Sequence, residues 1–248
     1  MSTKKIYYDN SFLTECSANI LEINDNGIIL DQTVAFPEGG GQIGDTGTIT
    51  NLSSNISAEF TDTKKIEGKA LSLKDFPPIN IECKIVHYLE ADDLTLFKIG
   101  DKVNIKIDIN RRAKTTLHHS GLHIALMVFN NLRKDILKSI IGCKITDEYG
   151  HVDIKTENMI SPEELNYIAH ESEELFSKNI PIQQISHKME KEAFYWKCLN
   201  YRIPCGGTHA TNTGDLKGIT VKRKHIGKGA DRLIITLNMN ENFIKKYI

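Results

Sequence analysis

Two short motifs, far apart in the chain, have to meet if either is to do chemistry. That demand constrains the fold more than any other feature. The first motif is His118-His119-Ser120-Gly121-Leu122-His123 and the second is Cys205-Gly206-Gly207-Thr208-His209. Around the first, Leu117, Leu122, Ile124, Ala125, Met127 and Val128 recur close to helical period, which predicts a helix from Arg111 to Asn131. Asp108 or Asn110 is placed to cap it. On such a helix His119 and His123 project from one face, one turn apart, the spacing that two ligands of one metal ion need. His118 points about 100° away. In the second motif Pro204 and two glycines argue against a helix. A glycine-rich turn there can fold a thiolate and an imidazole towards one point. Neither motif is specific alone. Together His119, His123, Cys205 and His209 make a set of three imidazoles and one thiolate, borderline-soft donors that suit one tetrahedral zinc ion per chain.

The rest of the chain supplies the frame. Apolar alternations at Gly27 to Leu30, Thr46 to Ile49, Ile81 to Leu89 and Val103 to Ile107 lie between turn clusters such as Asn24-Asp25-Asn26-Gly27 and Phe76-Pro77-Pro78. They predict a small barrel or sandwich. From Asp108 onward the pattern is mixed. Ser161-Pro162-Glu163-Glu164 starts a helix running to Lys178, with a capping serine, a proline in the first turn and two acids there. Ile182 to Ser186 reads as a strand, Lys188 to Asn200 as a helix, and Ile219 to Lys224 and Arg232 to Leu237 as strands. The expected class is α+β, divided into residues 1–108 and 109–248.

Composition excludes more than it assigns. Lysine plus arginine total 31 and aspartate plus glutamate 32, so the formal charge is -1. A broad basic coat for wrapping nucleic acid is excluded, although a local basic patch is not. A 40% hydrophobic content with little net charge rules out a disordered chain. No apolar run approaches the roughly 18 residues of a membrane span, and no export signal is visible. The five cysteines are odd in number, which argues against a disulfide framework and for a reducing cytoplasm.

Asn110-Arg111-Arg112 with His119-Ser120-Gly121-Leu122-His123, then Cys205 to His209 and Thr213-Gly214-Asp215, resemble the editing domain of alanyl-tRNA synthetase. The loop Phe36-Pro37-Glu38-Gly39-Gly40-Gly41-Gln42, with Gly44-Asp45-Thr46-Gly47, resembles the glycine-rich domain that precedes it. Gly227 to Leu233 resembles that family's closing strand region. Since the length leaves no room for an aminoacylation core, the expectation is a free-standing editing protein of the AlaX type, in its medium form.

The resemblance implies a small β-barrel like those of translation factors, then an α+β domain with a curved antiparallel sheet packed by helices. It implies a zinc-dependent deacylase that clears Ser-tRNA(Ala) or Gly-tRNA(Ala) in trans. His119, His123, Cys205 and His209 would be the ligands. Ser120 would recognise a serine side chain, position water, or merely bond within its helix. Leu122 stands where a polar residue is common. Gly39, Gly40, Gly41 and Gln42 would approach the site from the first domain. Phosphate contacts would come from Arg111, Arg112 and Lys114, and from Lys222, Arg223, Lys224, Lys228 and Arg232. The partner would be the acceptor end of tRNA(Ala), with monomer and homodimer both open. Three other readings stay open: a threonyl-type editing hydrolase, which the glycine loop disfavours; a zinc hydrolase of another ester or amide; and a zinc-stabilised tRNA-binding module without catalysis.

Overall fold

Strands dominate up to residue 107, as the alternation predicts. The computed structural model describes residues 1–247. In chain order its first half contains β1 (Lys4–Lys5), α1 (Ile6–Asp9), β2 (Glu15–Asn24), β3 (Gly27–Leu30), β4 (Gln32–Thr33), β5 (Gly47–Asn51), β6 (Ser57–Phe60), β7 (Asp62–Ile66), β8 (Lys69–Leu71), β9 (Ile79–Ile81), β10 (Lys84–Tyr88), α2 (Ala91–Leu94) and β11 (Lys102–Ile107). Seven of these strands form one sheet, in the order β6-β5-β11-β2-β3-β10-β7. The β2–β3 hairpin turns where the sequence signals it: Asn24 Oδ1 accepts the backbone N–H of Asn26 (3.0 Å) and Gly27 (3.1 Å). A register shift between Ile20 and Glu22 bends β2.

This ladder corrects the expectation of a small barrel. Among the described residues it does not close, because β6 and β7 are its two edges. The edges are nevertheless consecutive in the chain, with Thr61 alone between them. One continuous segment turns a corner and leaves one end of the sheet to join the other. The sheet is therefore coiled, and the chain itself, rather than another row of hydrogen bonds, joins its ends. Ile28, Leu30, Ile49, Phe60, Val103 and Ile105 fill it.

The second half contains α3 (Ile109–Leu132), β12 (Ile140–Ile145), β13 (Gly150–Lys155), α4 (Pro162–Ser177), β14 (Ile182–His187), β15 (Glu190–Cys198), β16 (Tyr201–Pro204), β17 (Thr220–Gly227), β18 (Ala230–Thr236) and α5 (Glu241–Ile244). Its antiparallel sheets run β12-β13-β18-β17 and β14-β15-β16. A separate core, including Leu117, Ile124, Phe129, Trp196 and Leu233, packs around α3. From Arg112 to Phe129 only Lys114 is exposed, so α3 runs through the interior and its polar residues are interior groups.

Residues 188–200, expected as a helix, instead hold β15. The run Ala193-Phe194-Tyr195-Trp196 is apolar on both faces and lacks the period of two that marks a half-buried strand. Pairing with β14 on one side and β16 on the other decides its form.

Helix α4 begins as its sequence predicts. Ser161 and Glu164 form a capping box, and Arg133 grips Glu164 through Nε and Nη2, each at 2.6 Å. The Arg133 guanidinium holds the Glu164 carboxyl below its ordinary value. That contribution is present above the unfolded pKa of about 4.3 and disappears as pH falls through the lower folded value. Glu164→Gln is expected to cost about 1.5 kcal/mol at pH 7. Urea unfolding at pH 7, 5 and 4 should show this cost shrinking at the acid end; a pH-independent cost would contradict the assignment.

The two halves join through backbone. Ile145 N–H donates to Gly41 O at 2.8 Å, and Ile43 N–H to Ile145 O at 3.1 Å. Gly41 suits this contact because its φ is +86° and a Cβ there would stand 2.5 Å from Cys143 Sγ.

Candidate metal centre

Asp108 caps α3 by accepting the Arg111 N–H at 3.1 Å. Two turns further in, His119 and His123 face the same side with ring centroids 5.0 Å apart. The second motif follows β16. Cys205 N–H donates to Phe194 O at 2.8 Å, which prolongs the β15–β16 pairing into the motif. The chain then folds against α3, and Gly207 is required there: a Cβ on it would lie 2.2 Å from His119 Cε1. Cys205 Sγ consequently sits 3.4 Å from His119 Nε2 and 3.2 Å from His209 Nε2. One ligand atom from each of His119, His123, Cys205 and His209 lies within 4.8 Å of the others, a group able to hold a metal ion.

Burial keeps this group uncharged. It pushes the His123 imidazole down to about 3, and it holds His119 and His209 well below their ordinary value, helped by the neighbouring imidazoles. The same burial pushes the Cys205 thiol up to about 12. Three imidazoles with free lone pairs and one thiol thus surround a single point, with no carboxylate in the group.

The surrounding residues fix these side chains. Gln42 is fully buried and reaches across from the first half. Its Oε1 lies 2.8 Å from His119 Nδ1 and accepts the Thr208 N–H at 3.0 Å, while its Nε2 donates to Thr208 Oγ1 at 3.0 Å. The Ser120 hydroxyl donates to Thr116 O at 2.9 Å and accepts the Ala210 N–H at 2.8 Å. Of the roles weighed for Ser120, the local helix bond is present, and the same oxygen ties the second motif to α3. Trp196 covers His123, with centroids 4.8 Å apart. Leu122 is buried in the core. His118 is also buried, and its environment is the small cavity it shares with Lys114 and Asp147, away from the four ligand atoms.

A cavity of about 500 Å³ opens beside the cluster. His119 and Cys205 line one part of it, Gly39 and Gly40 another, and Tyr8, Phe76 and Phe194 present rings to it. No local feature of the sequence signals Tyr8 or Phe194: Tyr8 reaches the cavity through the packing of the two halves, and Phe194 through the pairing that sets it beside Cys205.

The expected phosphate contacts fall into two groups. Lys114, Lys222, Lys224 and Lys228 are exposed. The arginines have partners. Arg112 is a correction: it is completely buried and bonded to Asp45, Ser11 O and Val34 O, so it has no face for a phosphate. A helix approaching a second sheet turns its first buried position inward, and Arg112 occupies that position. Arg111 bonds Gly44 O and Asp147, Arg223 lies 3.4 Å from Asp231, and Arg232 grips Asp153 at 2.7 and 2.9 Å.

Among known proteins, the family model described as tRNA synthetases class II (A) matches residues 4–111. The alanyl-tRNA editing protein AlaX-M of Pyrococcus horikoshii is 32% identical over 234 residues, covering 93% of this chain and 96% of that protein. Alanine–tRNA ligases of Saccharolobus islandicus and Pyrococcus abyssi are 27% and 28% identical, over 88% and 94% of the chain. The chain spans a quarter of the length of those ligases, 25% in each case.

Proposed function

The chain belongs to the family of alanyl-tRNA editing proteins, and from that membership we infer that it hydrolyses the ester joining serine or glycine to tRNA(Ala), with one zinc ion held by His119, His123, Cys205 and His209. The observation that carries this reading is the convergence of those four donors beside a cavity. The donors fit zinc. They are nitrogen and sulfur, they are uncharged until an ion arrives, and His119 already has its outer nitrogen held as ligating imidazoles require. When bound, zinc supplies a Lewis acid that polarises the ester carbonyl or lowers the pKa of water to about 7.

The protein's own groups arrange the rest. Gln42 orients His119, Ser120 holds the second motif, and Trp196 keeps water from the far side of His123. The cavity receives the amino acid and the terminal ribose. Residues 1–108 act as the glycine-rich domain, bringing Gly39, Gly40, Gly41 and Gln42 to the site, and residues 109–248 as the editing domain. Lys114, Lys222, Lys224 and Lys228, which are exposed, meet the acceptor end, Arg111 and Arg232 contribute beside their carboxylate partners, and the protein works in the cytoplasm, where tRNA is charged. Such a site answers a physical need, since a pocket that accepts alanine cannot sterically exclude glycine and rejects one extra hydroxyl only modestly.

Incubation with Ser-, Gly- and Ala-tRNA(Ala), with and without chelator, tests the reading. Release of serine or glycine is expected, with alanine spared. Activity should vanish with chelator and in His119→Ala, and metal analysis should find one zinc per wild-type chain. Equal release of alanine would remove proofreading. Tight tRNA binding without turnover would replace the hydrolase with a binding module.

A further inference from the structure

One wall of the cavity carries a charge that ester hydrolysis does not use. Lys65 lies on β7 and lines the cavity that His119 and Cys205 also line. Its Nζ comes close to the glycine loop: a Cβ on Gly39 would stand 3.5 Å from it. The other lysines of this region are paired. Lys5 pairs with Glu192, Lys64 with Asp62 at 3.2 Å, Lys69 with Glu82 at 2.6 Å, and Lys84 with Glu22 at 2.7 Å. The acids lining the same cavity are also taken, Glu192 by Lys5 and Glu38 by Lys64 at 3.8 Å. Among the described residues no carboxylate lies within ion-pair distance of Lys65.

A half-buried cation with no carboxylate bonded to it is costly, since Glu192, whose charge reaches Lys65, is taken by Lys5, and an anion arriving at the cavity removes that cost. Burial accordingly pulls Lys65 below the ordinary lysine value. The chemistry of the surrounding wall narrows the anion. Tyr8, Phe76 and Phe194 also line the cavity, aromatic side chains of the kind on which a base packs. An aminoacyl ester placed at His119 and Cys205 has a phosphodiester one ribose away.

We propose that Lys65 holds a phosphodiester of the acceptor end and so sets how deeply the ester enters the cavity. Lys65 is then a positioning residue, and the assignment rests on the deacylase reading. The phosphate it recognises belongs to the substrate strand.

Three seryl esters isolate the contact: of adenosine, which has no phosphate; of adenosine 5′-monophosphate; and of tRNA(Ala). Wild-type protein should show a lower KM for the monophosphate than for the adenosine ester. Lys65→Met should erase that difference and raise KM for Ser-tRNA(Ala) several-fold, with turnover of the adenosine ester unchanged. Lys65→Arg should restore it. Equilibrium binding of uncharged tRNA(Ala) gives a readout without turnover: the log–log salt dependence should become shallower by about 0.7 in Lys65→Met. An unchanged slope and KM would overturn the proposal, as would equal loss on the phosphate-free ester. A wild-type protein that turns over none of the esters but shows the slope change would sink the deacylase reading and leave the phosphate contact standing.

Discussion

Arg112→Met is expected to lower the unfolding free energy by about 3–5 kcal/mol and the melting temperature by roughly 10 °C or more. The guanidinium is fully buried and has several partners. Nε lies 3.0 Å from both carboxylate oxygens of Asp45, and Nη2 also donates to Asp45 Oδ2. Nη1 donates to Ser11 O at 2.9 Å and Nη2 to Val34 O at 2.8 Å. Methionine fills much of the volume but leaves the buried Asp45 carboxylate without a counter-charge, held only by the Phe36 N–H at 2.6 Å, and takes a donor from two carbonyls. Arg112→Lys should fail as well, since one ammonium cannot reproduce the fork. Adding Asp45→Asn to Arg112→Met removes the stranded charge and should recover part of the loss. Thermal unfolding of the four proteins of that cycle measures the coupling. A single-variant cost below about 1 kcal/mol would show that the pair is solvated in solution.

Gln42→Ala is expected to weaken metal affinity or deacylation by about 10- to 100-fold, the usual cost of losing a group that orients a ligating imidazole. The protein should stay folded. The argument depends on which end of the amide faces His119, and the bonding fixes it. Thr208 N–H can only donate, so the atom that it meets is the amide oxygen. His119 Nδ1 meets that same oxygen and therefore carries its proton, leaving the Nε2 lone pair towards Cys205. Chelator competition on wild-type and Gln42→Ala protein measures the metal affinity directly. Unchanged affinity together with unchanged turnover would show that Gln42 merely fills space.

The contrast between these two residues shows what a sequence discloses. The spacings of His119 with His123 and of Cys205 with His209 are local facts, and local geometry turns each into a pair of ligands. The start of α4 is local too, because Ser161 and Glu164 bond within one turn. Arg112 reads as a surface cation beside Arg111 until Asp45 appears opposite it. Gln42 was legible only as part of a loop near the site. Nothing in its neighbourhood names His119 as its partner, because that contact is set by how the halves dock. Residues 188–200 read as a helix for a related reason: with both faces of β15 apolar, only its neighbours β14 and β16 decide between strand and helix. The expected barrel failed at one point, the corner at Thr61, where the chain joins the ends of a sheet whose ladder does not close.

The reach of Gln42 across the two halves also says something about how the protein is made. At roughly 5–20 residues per second, about 10–30 s of synthesis separate Gln42 from His209. Throughout that interval the glycine loop has neither Thr208 nor the His119 ring in its final place. A nascent chain can finish its coiled first sheet early, yet the ion's seat can form only after the last ligand leaves the ribosome. An ion that this group binds can thus arrive only late in synthesis, and the bond from Gln42 to His119 forms only when the two halves have also docked.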